Sequence, residues 1–258
     1  MKNILDEIID HKRKEVQLTS VLNPLSYDRS SALKFRSLAT ALSTPGIQVI
    51  AEIKLKSPSS GDIQTEVNPV KIAQDYESAG AAAISVLTDN KYFGGNLEIL
   101  RQVRQSVSIP VLRKDFIISD YQLYESAEAG ADAILLIAEA LTNEKMFQLY
   151  SLAQNLGLDV LVEFHSSRYL PLISDLNPGI VGLNCRDLTT MTVDLKRFEL
   201  LLDDLPKDAI NVAESGIYTA ADLKYVSRLG YNAALIGTSL MKTHDPGATL
   251  KQLLETHK

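Results

Sequence analysis

"EAGADAILLI", Glu128 to Ile137, decides the fold. A stretch of helical character ends, a glycine follows, and an apolar run begins within three residues. Glycine just past a helix end takes the left-handed cap at no steric cost. The run that follows has no polar alternation, so it reads as a strand buried on both faces, as in parallel sheets. The layout recurs at "SAGAAAISVL" (Ser78 to Leu87) and "RLGYNAALIG" (Arg228 to Gly237), and more loosely at "NLGLDVLVE" (Asn155 to Glu163).

Working outward, strands are expected near 48–54, 82–87, 110–114, 132–137, 159–163, 180–184, 209–214 and 233–237. Helical stretches separate most of them. "EVNPVKIAQDYESAG" opens with Asn68 as an N-cap and Pro69 at the first helical position, the place proline favours. Eight βα units predict a (β/α)8 TIM barrel; an open doubly wound sheet is the competing layout. Residues 1–258 read as a single barrel domain. Residues 1–45 read as an extension of extra N-terminal helices, "NILDEIIDHKRKEVQ" and "SSALKFRSLATALS", packed on the barrel. No linker or low-complexity tract interrupts the pattern.

Composition is that of an ordinary globular chain: 258 residues, 45% hydrophobic and 22% charged. A net charge of −6 argues against a nucleic-acid partner. It does not exclude an anionic small ligand, which local groups would hold. The one cysteine, Cys185, cannot form an internal bridge and reads as a packed thiol. No apolar run reaches membrane-spanning length, and the charged start has no signal-peptide core, so no membrane partner is expected and the cytoplasm is the expected compartment. The four histidines are not spaced as metal ligands and no HExxH occurs, so no metal is expected.

In such a barrel the C-terminal strand ends build the active site. Glu52 and Lys54 end the first strand, two residues apart and so on one side of it. Lys114 is in phase with Leu112, Glu163 with Leu161, and Asn184 and Glu214 end the sixth and seventh strands. Inward phasing would gather all six in one pocket. A single charged strand end is usually solvated. Five strands ending in phase-matched polar groups are harder to assign to chance, because charges are rarely buried unless paired. "ESGI" and "IGTSLMK", after the seventh and eighth strands, place Gly216, Gly237, Thr238 and Ser239 where this fold grips phosphate. Ser57, in the serine-rich loop after the first strand, is placed to meet an anion. His165 reads as a loop histidine, and Tyr92 to Gly95 as either a turn or an aromatic cap.

The chain resembles the indole-3-glycerol phosphate synthase family over nearly its whole length. The resemblance rests on "IAEIKLKSPSSG", "SVLTDNKYFGGNLEIL", "PVLRKDFIISDYQLYESAEAGADAILLI", "LVEFHS", "GLNCRDLTTMTVDL", "VAESGI" and "LIGTSLM". Leu55, Cys185 and Thr238 depart from the residues usual there. The resemblance implies decarboxylating ring closure and dehydration of 1-(2-carboxyphenylamino)-1-deoxyribulose 5-phosphate, a step of tryptophan biosynthesis, without a cofactor. It implies Lys114 as acid, Glu163 as base, and Lys54 on the substrate carboxylate. Glu52 and Glu214 would orient the ammoniums and sugar hydroxyls, and Asn184 would hydrogen-bond near the aniline or the hydroxyls. Ser57, Ser215, Gly216, Gly237 and Thr238 would hold phosphate, with Arg186 supporting the phosphate or the barrel mouth. Pro58, Phe93, Phe116 and Leu188 would pack on the anthranilate ring. A monomer is expected, with contact to other tryptophan-pathway enzymes left open. Two other readings remain: a Schiff-base lysine at position 114, and a phosphosugar binder without turnover.

Overall fold

Eight parallel strands close on one another in chain order: β1 (Gln48–Ile53), β2 (Ala83–Leu87), β3 (Val111–Lys114), β4 (Ala133–Ile137), β5 (Asp159–Phe164), β6 (Ile180–Asn184), β7 (Ile210–Glu214) and β8 (Ala233–Ile236). β1 pairs with both β2 and β8, which completes the barrel. The computed structural model describes residues 4–25, 35–57, 61–62, 67–187 and 192–256. Helices follow the strands around the outside, including Pro69–Ala79, which has Asn68 as its N-cap and Gly80 in the left-handed conformation. The fold is a (β/α)8 barrel, and each expected strand is present to within one residue or so at its ends.

The strands alternate between two cores. Ile50, Leu112, Leu135, Leu161, Val212 and Leu235 point inward and pack together. Val49, Ala51, Ile53, Val86, Val162 and Leu183 point outward against the helices. A strand has a side-chain period of two, so Glu52 must share the inward face with Ile50, Lys114 with Leu112, and Glu163 with Leu161. The apolar inward residues fill the lower barrel, and the charged ones occupy its upper end.

The two N-terminal helices close opposite ends. α2 (Leu38–Leu42) inserts Leu38 and Leu42 into the inner core, beneath the strands. Asp132 and Asp159, at the starts of β4 and β5, accept the Arg36 amide at 2.8 Å and the Ala39 amide at 2.9 Å. The helical pattern read over "SSALKFRSLATALS" is therefore shorter in the structure: Ser37 is extended and caps the helix, accepting from Thr40 N. Residues 30–34 of that stretch lie outside the described residues. α1 (Ile4–Leu22) lies across the other end, where Lys12 pairs with Asp89 and Asp115, just beyond β2 and β3. After β1 the chain forms a small antiparallel hairpin, Lys56–Ser57 with Gly61–Asp62.

Candidate active site

The register brings the polar strand ends level. Asn184 stands opposite Glu214 across β6 and β7, and Glu163 opposite Gly182 across β5 and β6. Glu52, Lys54, Lys114, Glu163, Asn184 and Glu214 line one cavity at the C-terminal mouth of the barrel. Lys114 Nζ lies 2.9 Å from Glu163 Oε2 and 3.4 Å from Glu214 Oε2. Asn184 Nδ2 donates to the other Glu163 oxygen at 2.9 Å. Lys54 Nζ pairs with Glu52 Oε1 at 2.8 Å. Two glycines make room for these carboxylates. A Cβ at Gly182 would stand 2.1 Å from Glu214 Oε1, and one at Gly237 would stand 2.4 Å from Glu52 Oε1.

The electrostatics separate Glu163 from Glu214, the two carboxylates nearest Lys114. Burial opposes the charge on Lys114, yet Glu163, Glu214 and Glu52 outweigh it and hold its pKa above the usual lysine value. Burial also opposes ionisation of Glu163, but Lys114 and the Asn184 amide hold that carboxyl below its usual range. For Glu214, burial and the neighbouring Glu163 act together, and its pKa is raised well above the usual range. Two carboxyls in one dry site cannot both ionise at ordinary cost. Glu163 therefore takes the charge and Glu214 keeps its proton longer. Glu214 Oε1, buried, has no hydrogen-bond partner among the described residues.

The glycine and hydroxyl loops lie on the same cavity: Ser215, Gly216, Gly237, Thr238 and Ser239 all line it. Ser215 and Gly216 have φ of +69° and +78°, so the chain turns sharply just after Glu214. A non-glycine residue there is uncommon. Ser239 Oγ donates to Ile217 O at 3.1 Å, and Gly237 precedes the short helix Thr238–Met241. On the other side, the Phe93 and Phe116 rings lie 6.0 Å apart between centroids, and both line the cavity with Arg186. The Ser57 side chain, Pro58 and Leu188 lie outside what the structure describes. Cys185 is buried in the outer core, where burial pushes its pKa up to about 12. His165, read as a loop histidine, sets its ring Nδ1 3.0 Å from the Asn184 carbonyl.

Sequence reasoning missed the cover of the site. Ile4, Leu5 and Ile8 of α1 face the cavity, and Asp115 and Tyr218 also line it. A signal was present: Leu5, Ile8, Ile9 and Lys12 recur at helical spacing and all are buried. A lysine on an apolar stripe calls for a buried partner. Among the described residues, no cluster of His, Cys, Asp or Glu could hold a metal ion, and no helix is long and apolar enough to cross a membrane.

The indole-3-glycerol phosphate synthase family profile matches residues 5–253. A relative with that name from Bacteroides thetaiotaomicron is 43% identical over 258 residues, covering 99% of each chain. Another from Geobacillus kaustophilus is 45% identical over 245 residues, covering 94% of this chain and 93% of its own. Solved structures of lower identity share the fold. Thiamine phosphate pyrophosphorylase from Pyrococcus furiosus superposes with a TM-score of 0.62 at 16% identity, covering 85% of this chain and 96% of its own. The 3-hexulose-6-phosphate synthase of Salmonella typhimurium gives 0.63 at 11%, covering 82% and 100%.

Proposed function

The chain belongs to the indole-3-glycerol phosphate synthase family of carboxy-lyases, and from that membership we propose a mechanism in which Lys114 and Glu163 act as its acid and base. The substrate is 1-(2-carboxyphenylamino)-1-deoxyribulose 5-phosphate. Its carboxylate-bearing ring carbon attacks the ribulose carbonyl, so a carbon–carbon bond forms and the carbonyl oxygen becomes an alkoxide. Lys114 donates a proton to that oxygen. Loss of CO2 returns the electron pair to the ring and restores aromaticity. The new hydroxyl then leaves as water once protonated, while Glu163 takes the proton released in forming the indole double bond. Lys54 holds the substrate carboxylate and supplies the acid for the second step. Glu52 and Glu214 orient the two lysines, and Asn184 fixes Glu163 and meets the aniline.

The observation that carries this reading is the Lys114 ammonium set 2.9 Å from Glu163 inside a cavity that α1 lines on one side with Ile4, Leu5 and Ile8. A raised pKa keeps Lys114 charged, and the alkoxide it meets is more basic still. A positioned general acid is worth about 10²–10⁴-fold. The same raised pKa weakens the Schiff-base alternative, because an amine nucleophile must be neutral. Ser57, Ser215, Gly216, Gly237 and Thr238 hold the phosphate, with Arg186 at the mouth. Phe93, Phe116, Pro58 and Leu188 pack on the anthranilate ring. Action as a cytoplasmic monomer without a cofactor belongs to the same proposal. Incubation of the purified chain with the carboxyphenylamino-deoxyribulose phosphate tests it. Growth of indole fluorescence with release of CO2 is expected, and absence of both would sink the reading.

A further inference from the structure

Lys12 is 1% exposed, though it lies on the helix that covers the site and not within the catalytic group. Its ammonium stands 3.0 Å from Asp89 Oδ2 and 3.1 Å from Asp115 Oδ1. Glu15, one turn along α1, completes the cluster at 3.0 Å. Taking a lysine and two carboxylates out of water costs several kcal/mol per ion unless all are paired. A lysine reaching solvent from the same helix would avoid that cost, so the burial calls for a reason.

Each partner of Lys12 holds a piece of the pocket wall. The second oxygen of Asp89 accepts the Tyr92 amide at 2.7 Å and so caps the short helix Asn90–Phe93. Phe93 ends that helix and lines the cavity. Asp115 Oδ1 also accepts the Phe116 amide at 2.8 Å, and Asp115 directly follows Lys114. Lys12 itself belongs to α1, which contributes Ile4, Leu5 and Ile8 to the cavity. One ammonium thus joins three segments, and each presents apolar side chains to the same space. Burial opposes the charges, yet the cluster keeps Lys12 above the usual lysine value and Asp115 below the usual carboxylate range. Both shifts favour the charged forms of Lys12 and Asp115, as their 3.1 Å contact requires.

We propose that Lys12 is a positioning residue for the family reaction: by bridging Asp89 and Asp115 it seats α1 and sets the aromatic wall of Phe93 and Phe116 against the substrate ring. This rests on the reaction proposed above. The two carboxylates differ in what they lose without Lys12. Asp115 keeps Arg113 at 3.0 Å and the Thr88 hydroxyl at 2.6 Å. Among the described residues, the Asp89 carboxylate keeps only the Tyr92 backbone amide. Lys12→Met therefore strands one buried charge. Lys12→Met/Asp89→Asn does not, and asparagine still caps the helix.

The test compares steady-state kinetics of the unaltered chain, Lys12→Met, Lys12→Arg and the charge-balanced double variant. A loosened wall weakens ground-state and transition-state contacts alike, which raises KM and leaves kcat nearly fixed. The expected result is a KM raised at least about 10-fold in Lys12→Met and in the double variant, kcat within about 3-fold, and unmoved pH limbs, with Lys12→Arg recovering most of the loss. If Lys12→Met does not fold, the double variant decides. An unchanged KM in a folded variant overturns the proposal, as does a fall in kcat at constant KM. Absence of product from the unaltered chain would sink the reaction and this inference together. Product from the unaltered chain with an unchanged KM in the variant would sink this inference alone.

Discussion

Gly182 and Glu214 share a space that admits only one of a methyl group and a carboxylate: a Cβ on the glycine would lie 2.1 Å from Glu214 Oε1 and 3.3 Å from Leu161 Cδ1. Glu214 is 1% exposed, and the space left to its carboxyl is the cavity it lines. Gly182→Ala must therefore push the carboxyl away from Lys114. Overpacking of this kind costs about 1–3 kcal/mol. The expected outcome is a folded barrel, lower in stability by that amount, with kcat reduced about 10-fold or more. Chemical denaturation and steady-state kinetics on one preparation check both parts. Unchanged kcat would show that Glu214 does not need its present seat.

Lys114→Ala removes the only ammonium that reaches both Glu163 and Glu214 among the described contacts. The expected loss of turnover is at least about 10²-fold, as for a missing general acid. Substrate binding should stay within about tenfold, because the proposed phosphate and ring contacts come from other residues. Equilibrium binding followed by substrate fluorescence, alongside kcat, separates the two. Near-normal turnover would remove Lys114 from the role of acid.

Most of the barrel and much of the site were legible in the residues. Three glycines after helices, each leading into an apolar run, announced parallel strands. A period of two, applied from Ile50 to Glu52 and from Leu112 to Lys114, put the charges inside before any coordinate was known. What periodicity could not supply was the vertical order of the molecule. Both N-terminal helices were expected to pack on the barrel, but that one plugs its floor through amide hydrogen bonds to Asp132 and Asp159 while the other roofs its mouth through the ion pairs of Lys12 depends on contacts 77 or more residues apart along the chain. Gly237 was equally opaque. Beside Thr238 and Ser239 it read as a phosphate turn, and the structure adds that its missing side chain is where Glu52 sits.

Asp115 and Glu214 bend the stability of the protein in opposite directions with pH. Burial opposes ionisation of Asp115, but Lys12 and Arg113 outweigh it, so its folded pKa lies below that of the unfolded chain. Its contribution is present above about pH 4 and is lost as pH falls through the folded value. Burial and Glu163 raise the folded pKa of Glu214. Its contribution is full below about pH 4 and is lost as pH rises toward the folded value, because there the unfolded chain releases the proton first. Urea midpoints measured between about pH 3 and 8 should show a flatter acid limb for Asp115→Asn. They should show Glu214→Gln gaining on the unaltered chain as pH rises. A Glu214→Gln curve parallel to that of the unaltered chain would mean that the carboxyl is ionised like any other.

Glu163→Gln and Glu214→Gln should differ sharply, although the two side chains flank one lysine. Glutamine copies the shape of a glutamic acid and its hydrogen-bond donor, but it cannot accept a proton at neutral pH. Burial and Glu163 raise the pKa of Glu214 and favour its protonated form, which glutamine resembles, so kcat should fall less than about 10-fold. Glu163 is the ionised partner, with Lys114 on one oxygen and Asn184 on the other. Glutamine at 163 removes the base, and kcat should fall at least about 10²-fold. Ring closure and loss of CO2 need the acid and not this base, so the first turnover should still release CO2. Rapid-quench sampling of Glu163→Gln should then find the decarboxylated, ring-closed intermediate ahead of any indole. Accumulation of that intermediate in Glu214→Gln, and none in Glu163→Gln, would reverse the two roles.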